Sequence, residues 1–449
     1  MGTRLTKVAL RAHRPAFVGT AVAALFSATV VSASTMILVS TGTGGVSAAA
    51  RRQLTENGVG GMAVVLLIGS IYMSIFVVAS TMGTAVAQQH RELALVRAIG
   101  ARPRQLRRAV AIQALAAAVP AALVGFGLGA LLARFWFDGL VEHGLAPAEV
   151  SFRFSWLALP VCLAVAVVTS TLAAVLSALR FSLLRPAHAL HEAAAGRGGL
   201  GPVRAPLGLI VVAGACALSV LLSRQDAEEA GQGAFLVLIL FCVGTGLLGP
   251  RIIGPAAWLL SSLVGRFGSS ARLAMLNVRS QPRRFAAAVV PLVLVVGFGL
   301  TKIALRTTAE RHTGSAGATG EVWLDYAGTA LYAGFAAIAA ANTLAMISLE
   351  RGRDVALLRI VGTHRRQVRA MAAWEATLVA LTALLLGGAI ALGTLAPILD
   401  SAFGSPVPYI PWTLLAGIGS GTLLLALLAT GLPVLAVLRR RAIRVLQAA

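Results

Sequence analysis

Ten stretches of this sequence are long and almost purely apolar: residues 16–39, 61–86, 110–134, 155–179, 205–223, 232–250, 285–305, 324–348, 372–396 and 411–437. A helix needs roughly 20 such residues to cross the hydrocarbon of a bilayer. Inside lipid every backbone N–H and C=O must be satisfied by the chain itself, which leaves helices or closed barrels. Continuous runs without strict alternation point to helices. Of 449 residues, 58% are hydrophobic and only 12% charged. A soluble domain carries about 25% charge, so a soluble enzyme and a disordered chain are both excluded. The fifth and sixth runs are short and closely joined, so their limits are the least defined.

The net charge is +22, with 38 Lys+Arg against 16 Asp+Glu. In a soluble protein that excess would suggest a nucleic-acid binder. Here the charge is sorted by position instead. Thirty of the basic residues fall in 1–14, 91–108, 180–204, 251–284, 351–369 and 439–444, together with three acids, and Glu350 and Glu375 lie just beside one of these segments; the other side holds eight basic residues and eleven acids. Basic residues collect on the cytoplasmic side, so both termini are expected in the cytoplasm and no nucleic-acid partner is required. Phe135, Trp136, Phe137, Phe152, Phe154 and Trp156 flank one outer loop, and Tyr409 and Trp412 another, as rings at headgroup level do.

The chain is also duplicated. A shift of 262 lays Arg91-Glu-Leu-Ala-Leu-Val-Arg-Ala-Ile-Gly100 on Arg353-Asp-Val-Ala-Leu-Leu-Arg-Ile-Val-Gly362, and the match runs on through Arg104/Arg366, Gln105/Gln367 and Arg107/Arg369. A shift of 268 pairs Arg4, Leu5 and Arg11 with Arg272, Leu273 and Arg279, and one of 256 pairs Trp156 with Trp412. Spans 1–4 therefore correspond to spans 7–10. Spans 5 and 6 are an insert whose even number keeps the repeats parallel. The expected organisation is a first repeat over 1–194, a linker with two spans over 195–265, and a second repeat over 266–449. That is an all-α polytopic membrane protein, with two parallel four-helix repeats and two linking helices.

Residues 87–108 and 350–370 carry the most information. Each leaves a span as an amphipathic helix, with Leu93, Val96 and Ile99 on one face. Gly100 and Gly362 suit the left-handed residue that ends a helix. Pro103 suits the first turn of the following helix and Thr363 an N-cap. A plain basic loop would explain the arginines but not an acid, an Arg and a Gly at equal spacing in both copies.

An acidic residue, aliphatics, Arg, two aliphatics and Gly, followed by basic residues and a long apolar helix, resembles the FtsX/MacB permease family. Leu273-Ala-Met-Leu-Asn-Val-Arg279 with Pro282-Arg-Arg284 resembles the amphipathic helix that leads into that family's repeats. The resemblance implies the permease subunit of an ABC transporter in a bacterial plasma membrane. A separate cytoplasmic ATPase, as a homodimer, would bind ATP and Mg, and this chain would hold no cofactor. Glu92, Arg97 and Gly100, with Asp354, Arg359 and Gly362, correspond by position to the ATPase-coupling turns. Members often carry a large domain between the first two spans of a repeat; here residues 40–60 and 306–323 are too short for one.

Other chemistry is excluded. No G-x-x-x-x-G-K-[ST] is present, so the chain builds no P-loop. Gly125-Phe-Gly-Leu-Gly129 lies within a span and reads as a small-xxx-small packing face, with Ala389 and Gly393 as its expected counterpart. Cys162, Cys216 and Cys242 sit in apolar runs as small hydrophobes. His188 and His191 have no carboxylate or thiol cluster beside them, so no metal site is expected, and no catalytic triad can be assembled. The spans hold almost no ionisable groups, with Glu375 and Lys302 near ends, which disfavours an ion-coupled carrier. The expected substrate is amphipathic or lipophilic (a peptide, antibiotic or lipid), exported or extracted, with membrane lipid as a further partner. The alternative is a non-transporting transmitter that regulates a cell-envelope enzyme.

Sidedness is testable. Single cysteines near Arg51, Glu142, Glu228, His312 and Gly404 should be labelled from outside intact cells, and those near Arg102, Arg197 and His364 should be protected. Labelling at Arg102 from outside would reverse the orientation.

Overall fold

The structure is a computed structural model that describes residues 14–42, 47–56, 59–89, 95, 100–183, 204–224, 227–264, 266–314 and 319–439. Among the described residues every regular element is a helix and no strand forms. In chain order they are α1 (Arg14–Gly42), α2 (Ala48–Glu56), α3 (Val59–Gln88), α4 (Pro103–Glu142), α5 (Ala158–Leu183), α6 (Arg204–Leu222), α7 (Ala227–Leu248), α8 (Pro250–Val264), α9 (Ser269–Ser280), α10 (Pro282–Thr313), α11 (Thr319–Glu350), α12 (Gly352–Ile360), α13 (Arg365–Phe403) and α14 (Trp412–Arg439). Nine of the described helices are long and apolar enough to cross a membrane. A tenth crossing exists if Leu236–Leu248 and Arg251–Leu260, which meet at 83°, form one broken span. The break falls at Gly249 (φ +37°) and Pro250, where proline has no N–H to continue the ladder. The chain is an all-α polytopic membrane protein.

Two compact units are present: residues 1–198 with 316–339, and residues 199–315 with 340–449. In the first, α1 lies against α3, α4 and α5. The contact with α4 is close because glycine removes the side chain where the backbones meet. A Cβ on Gly125 would stand 2.5 Å from the Leu25 carbonyl oxygen and 2.8 Å from the Ala28 Cβ, and one on Gly129 would stand 2.7 Å from the Ser32 Cβ. In the second unit, α10 lies against α13 and α14, and α6 and α7 pair with each other and pack on α13.

The duplication repeats these contacts atom for atom. A Cβ on Gly387 of α13 would stand 2.7 Å from Val296 Cγ1 and 3.1 Å from the Gly297 nitrogen. Gly387 is Gly125 shifted by 262, while Val296 and Gly297 are Ala28 and Thr29 shifted by 268. Ala391, the shifted Gly129, clusters with Val296 and Leu300. The second small-xxx-small face is thus Gly387/Ala391. Ala389 and Gly393, which share the spacing but sit two residues further on, are exposed. Two residues turn a helix by about 200°, which carries them to the other side. A Cβ on Gly393 would stand 3.7 Å from Phe241 of the linking helices, and the Gly393 carbonyl accepts from Ser219 Oγ at 3.3 Å.

The segment between the third and fourth spans is pinned alike in each unit. The Arg153 N–H donates to Ser40 Oγ at 3.1 Å. The Tyr409 N–H donates to Thr308 Oγ1 at 2.8 Å, and its carbonyl accepts from Thr307 Oγ1. Ser40 and Thr308 are related by 268, Arg153 and Tyr409 by 256.

The spatial units differ from the sequence repeats in two respects, the first being that the linking helices α6 and α7 group with the second unit. The second is that residues 319–339, about two thirds of α11, group with the first unit. Aromatic packing draws them there: Trp323 stacks on His143 at 4.9 Å and meets Trp136 edge-on at 5.9 Å, and Phe335 meets Phe26 at 4.8 Å. The start of the segment expected to link the repeats, residues 195–203, lies outside the described residues, and Arg204 opens α6.

Gly125→Ala and Gly387→Ala should each destabilise the protein by about 1–3 kcal/mol through overpacking. Gly127→Ala and Gly388→Ala, with open space around the new methyl, should be neutral or mildly stabilising, since alanine is the better helix former. Thermal melts of the purified protein distinguish them.

Candidate functional site

The repeated turn is best seen in the second unit. Helix α12 ends at Ile360 with Val361 as its C-cap, and Gly362 follows with φ +104°. The Thr363 N–H reaches back to the Leu358 carbonyl at 3.0 Å and the Gly362 N–H to the Arg359 carbonyl at 3.3 Å. These paired bonds form a Schellman motif, which satisfies carbonyls that a helix end leaves open. The Thr363 hydroxyl adds a bond to the Leu358 carbonyl. Thr363 is therefore spent on ending α12 and is not the N-cap of α13. That position is His364, whose N–H donates to Gln367 Oε1 at 2.9 Å. In the first unit the Arg102 N–H donates to Gln105 Oε1 at 2.9 Å, Pro103 opens α4, and Gly100 has φ +102°. The matched glutamines close the start of each long helix.

Helix α12 buries one side and displays another. Val355 packs with Val368, Ala372, Val434 and Leu438 of α13 and α14. Leu357, Ile360 and Val361 are exposed, Val361 at 87%, and Arg365 and Arg366 stand exposed beyond the turn. Leu95, the partner of Leu357 by the repeat, is likewise exposed. Three aliphatic side chains offered together at a rigid turn form an apolar tip of the kind that meets another protein.

At the root of the turn lies a buried charge pair. Arg351 is the residue on which α11 gives way to α12. Its guanidinium binds both oxygens of Glu375 on α13, through Nη1 to Oε2 and through Nη2 to Oε1 at 2.9 Å. Asn277 Nδ2 of α9 donates to Oε1 at 2.7 Å. The Glu375 side chain is 8% exposed and that of Arg351 17%. Burial works against the Arg351 charge, but the hydrogen bond and charge of Glu375, with the charge of Asp354, more than offset it and hold its pKa above the ordinary value. The network joins α9, the α11–α12 junction and α13 on the wall of an open cleft of about 60 Å³ lined also by Phe285, Leu344 and Val379.

Of the residues the sequence marks, Gly100, Gly362, Asp354 and Arg359 are described, while Glu92 and Arg97 lie outside the described residues, as do Leu93, Val96, Ile99, His188 and His191. Asp354 has a partner within the chain, Arg284 at 3.8 Å. Its five-residue separation from Arg359 rules out an ideal pair along α12, but α10 supplies a cation from outside that helix. Sequence reasoning missed the Arg351–Glu375–Asn277 network. Glu375 reads as an acid near a span end, and Arg351 as one more arginine of a basic loop. The signal available was the rarity of an acid within a span. Among the described residues no group of His, Cys, Asp and Glu could hold a metal ion.

Arg351→Met leaves the Glu375 carboxylate buried without its cation and should cost about 3–5 kcal/mol. Arg284→Met removes a longer, part-exposed pair and should cost under about 1 kcal/mol. Thermal melts and membrane yield measure both.

The family model for the C-terminal domain of FtsX-like permeases matches residues 64–185 and 327–442, more than half the chain. Each match runs from the second span of a repeat through its turn to the fourth span. No curated protein matches the chain. Two copies of the same permease fold, each with its glycine turn, place the chain in the family of FtsX-like permeases, membrane subunits that are generally non-catalytic.

Proposed function

We propose that this chain is the permease subunit of an ABC transporter and that the turns at Gly100 and Gly362 receive force from a cytoplasmic ATPase dimer. The observation that carries this reading is the exposed apolar tip of Leu357, Ile360 and Val361 at a turn fixed by paired backbone bonds. The ATPase binds ATP and Mg; this chain holds neither. Closing of the ATPase dimer displaces each turn, and α4 and α13, which begin at the turns and run unbroken for 40 and 39 residues, carry the displacement through the bilayer. Coupling of this kind requires an element with two arrangements that both ends bias. The substrate class is amphipathic or lipophilic, exported or extracted. The scarcity of charge within the spans supports this, because a polar solute would need a lined aqueous path.

Asp354 and Arg359, with Glu92 and Arg97 in the first copy, flank the turns as charged contacts for the ATPase. A β-branched residue at Gly362 costs roughly 1–2 kcal/mol in left-handed geometry and re-aims the tip.

The test is co-purification of the ATPase and substrate-stimulated ATP hydrolysis. Gly100→Val with Gly362→Val, Arg359→Glu, and Val361→Asp should each leave the protein in the membrane at normal level. Each should also cut ATPase association or coupled hydrolysis several-fold. Normal transport by a well-expressed double Gly→Val variant would show the turns to be topology loops only.

A further inference from the structure

The shift of 262 that superposes the two turns also places Arg351 on Gln89 and Glu375 on Gln113. The shift of 268 that superposes the leading helices places Asn277 on Ala9. A guanidinium, a carboxylate and an amide in one repeat thus stand where the other has two amides and a methyl. Gln89 and Gln113 are buried, at 3% and 8% exposure. Among the described residues, neither Nε2 of Gln89 nor Oε1 of Gln113 has a hydrogen-bond partner. One is a donor and the other an acceptor, the same polarity as guanidinium and carboxylate without formal charge.

We infer that Arg351 and Glu375 are positioning residues, forming a charged latch that only the second repeat carries, and that Gln89 and Gln113 occupy the same station as two neutral amides not bonded through Nε2 and Oε1. Hydrogen bonds between ionised groups are roughly twice as strong as neutral ones, and a buried, low-dielectric site strengthens them further. Arg351 is the first residue after α11 and caps α12, so the latch ties the root of the Gly362 turn directly to α13. The second turn is therefore a stiff lever and the first a compliant one. On the coupling role proposed above, the second turn transmits the larger share of the ATPase stroke.

The experiment uses the full-length protein in detergent or nanodiscs. Glu375→Gln alone strands Arg351 and should lower the melting temperature by roughly 5 °C or more. Arg351→Gln with Glu375→Gln gives the second repeat the two amides of the first. It should recover most of that loss while leaving amide exchange in residues 352–363 roughly tenfold faster than in the native protein. A purely structural role would move stability and exchange together. In the first repeat, Gln89→Arg and Gln113→Glu should each destabilise the protein alone and recover in combination. Native exchange rates in the double-Gln variant would overturn the latch. A Gln89→Arg/Gln113→Glu variant no more stable than its worse parent would overturn the equivalence of the two stations. Neither readout needs the ATPase. If both hold while no ATPase co-purifies, the latch stands and the transporter reading fails. If the ATPase does bind, the double-Gln variant should lose several-fold in stimulated hydrolysis, whereas Gln113→Leu should lose little.

Discussion

In lipid a helix gains little by hiding leucine against leucine, because the solvent is equally apolar; association has to come from shape. The contact that supplies it here is the close approach of the first and third spans within each repeat. Gly125 and Gly129 let the α4 backbone settle on Leu25, Ala28 and Ser32, and Gly387 does the same for α13 on Val296 and Gly297. The helix that carries the turn is thereby seated on the helix that opens the repeat. The loop that follows it is tied back to that same opening helix through Ser40 or Thr308.

That seating makes the long helices suitable as rods. Helix α13 spans 39 residues, about 60 Å at 1.5 Å per residue, twice the hydrocarbon thickness. One end is set by a Schellman turn and a glutamine cap, the other by the left-handed Gly404. Glu375 meets Arg351 near the turn end, so movement of α12 relative to α13 must first break a buried charge pair. Neither the glycines nor the charges are at a place where chemistry happens. They decide which parts of the chain move as one body.

Much of this was legible in the sequence because the repeat acts as an internal control. The offsets at Arg4/Arg272, Gly100/Gly362 and Trp156/Trp412 also superpose helix contacts and loop bonds that no single copy would reveal. The misreadings share a cause. Ala389 and Gly393 fit a spacing, but spacing leaves helical phase open, and the offset already in hand pointed to Gly387 and Ala391. Thr363 reads along the chain as an N-cap, whereas the ending of the previous helix takes its N–H and hydroxyl. Arg351 was hidden among thirty similar residues by the charge rule that made the topology readable.

The three offsets have a consequence for divergence. They fall from 268 to 262 to 256 along the repeat, so the second copy lost, or the first gained, six residues twice. Both changes lie between the first and second spans and between the third and fourth, at the end of the bundle remote from the turns; the first copy uses its extra length there for α2. Across the turn itself not one residue was inserted or deleted. A duplicated gene that drifts freely at one pole and keeps strict length at the other behaves as though one pole is gauged against a common template and the other is not. On the coupling role proposed above, two like turns suit two like subunits of a single partner. The opposite pole is where the copies were at liberty to become different, and it is where individuality among related permeases should be sought.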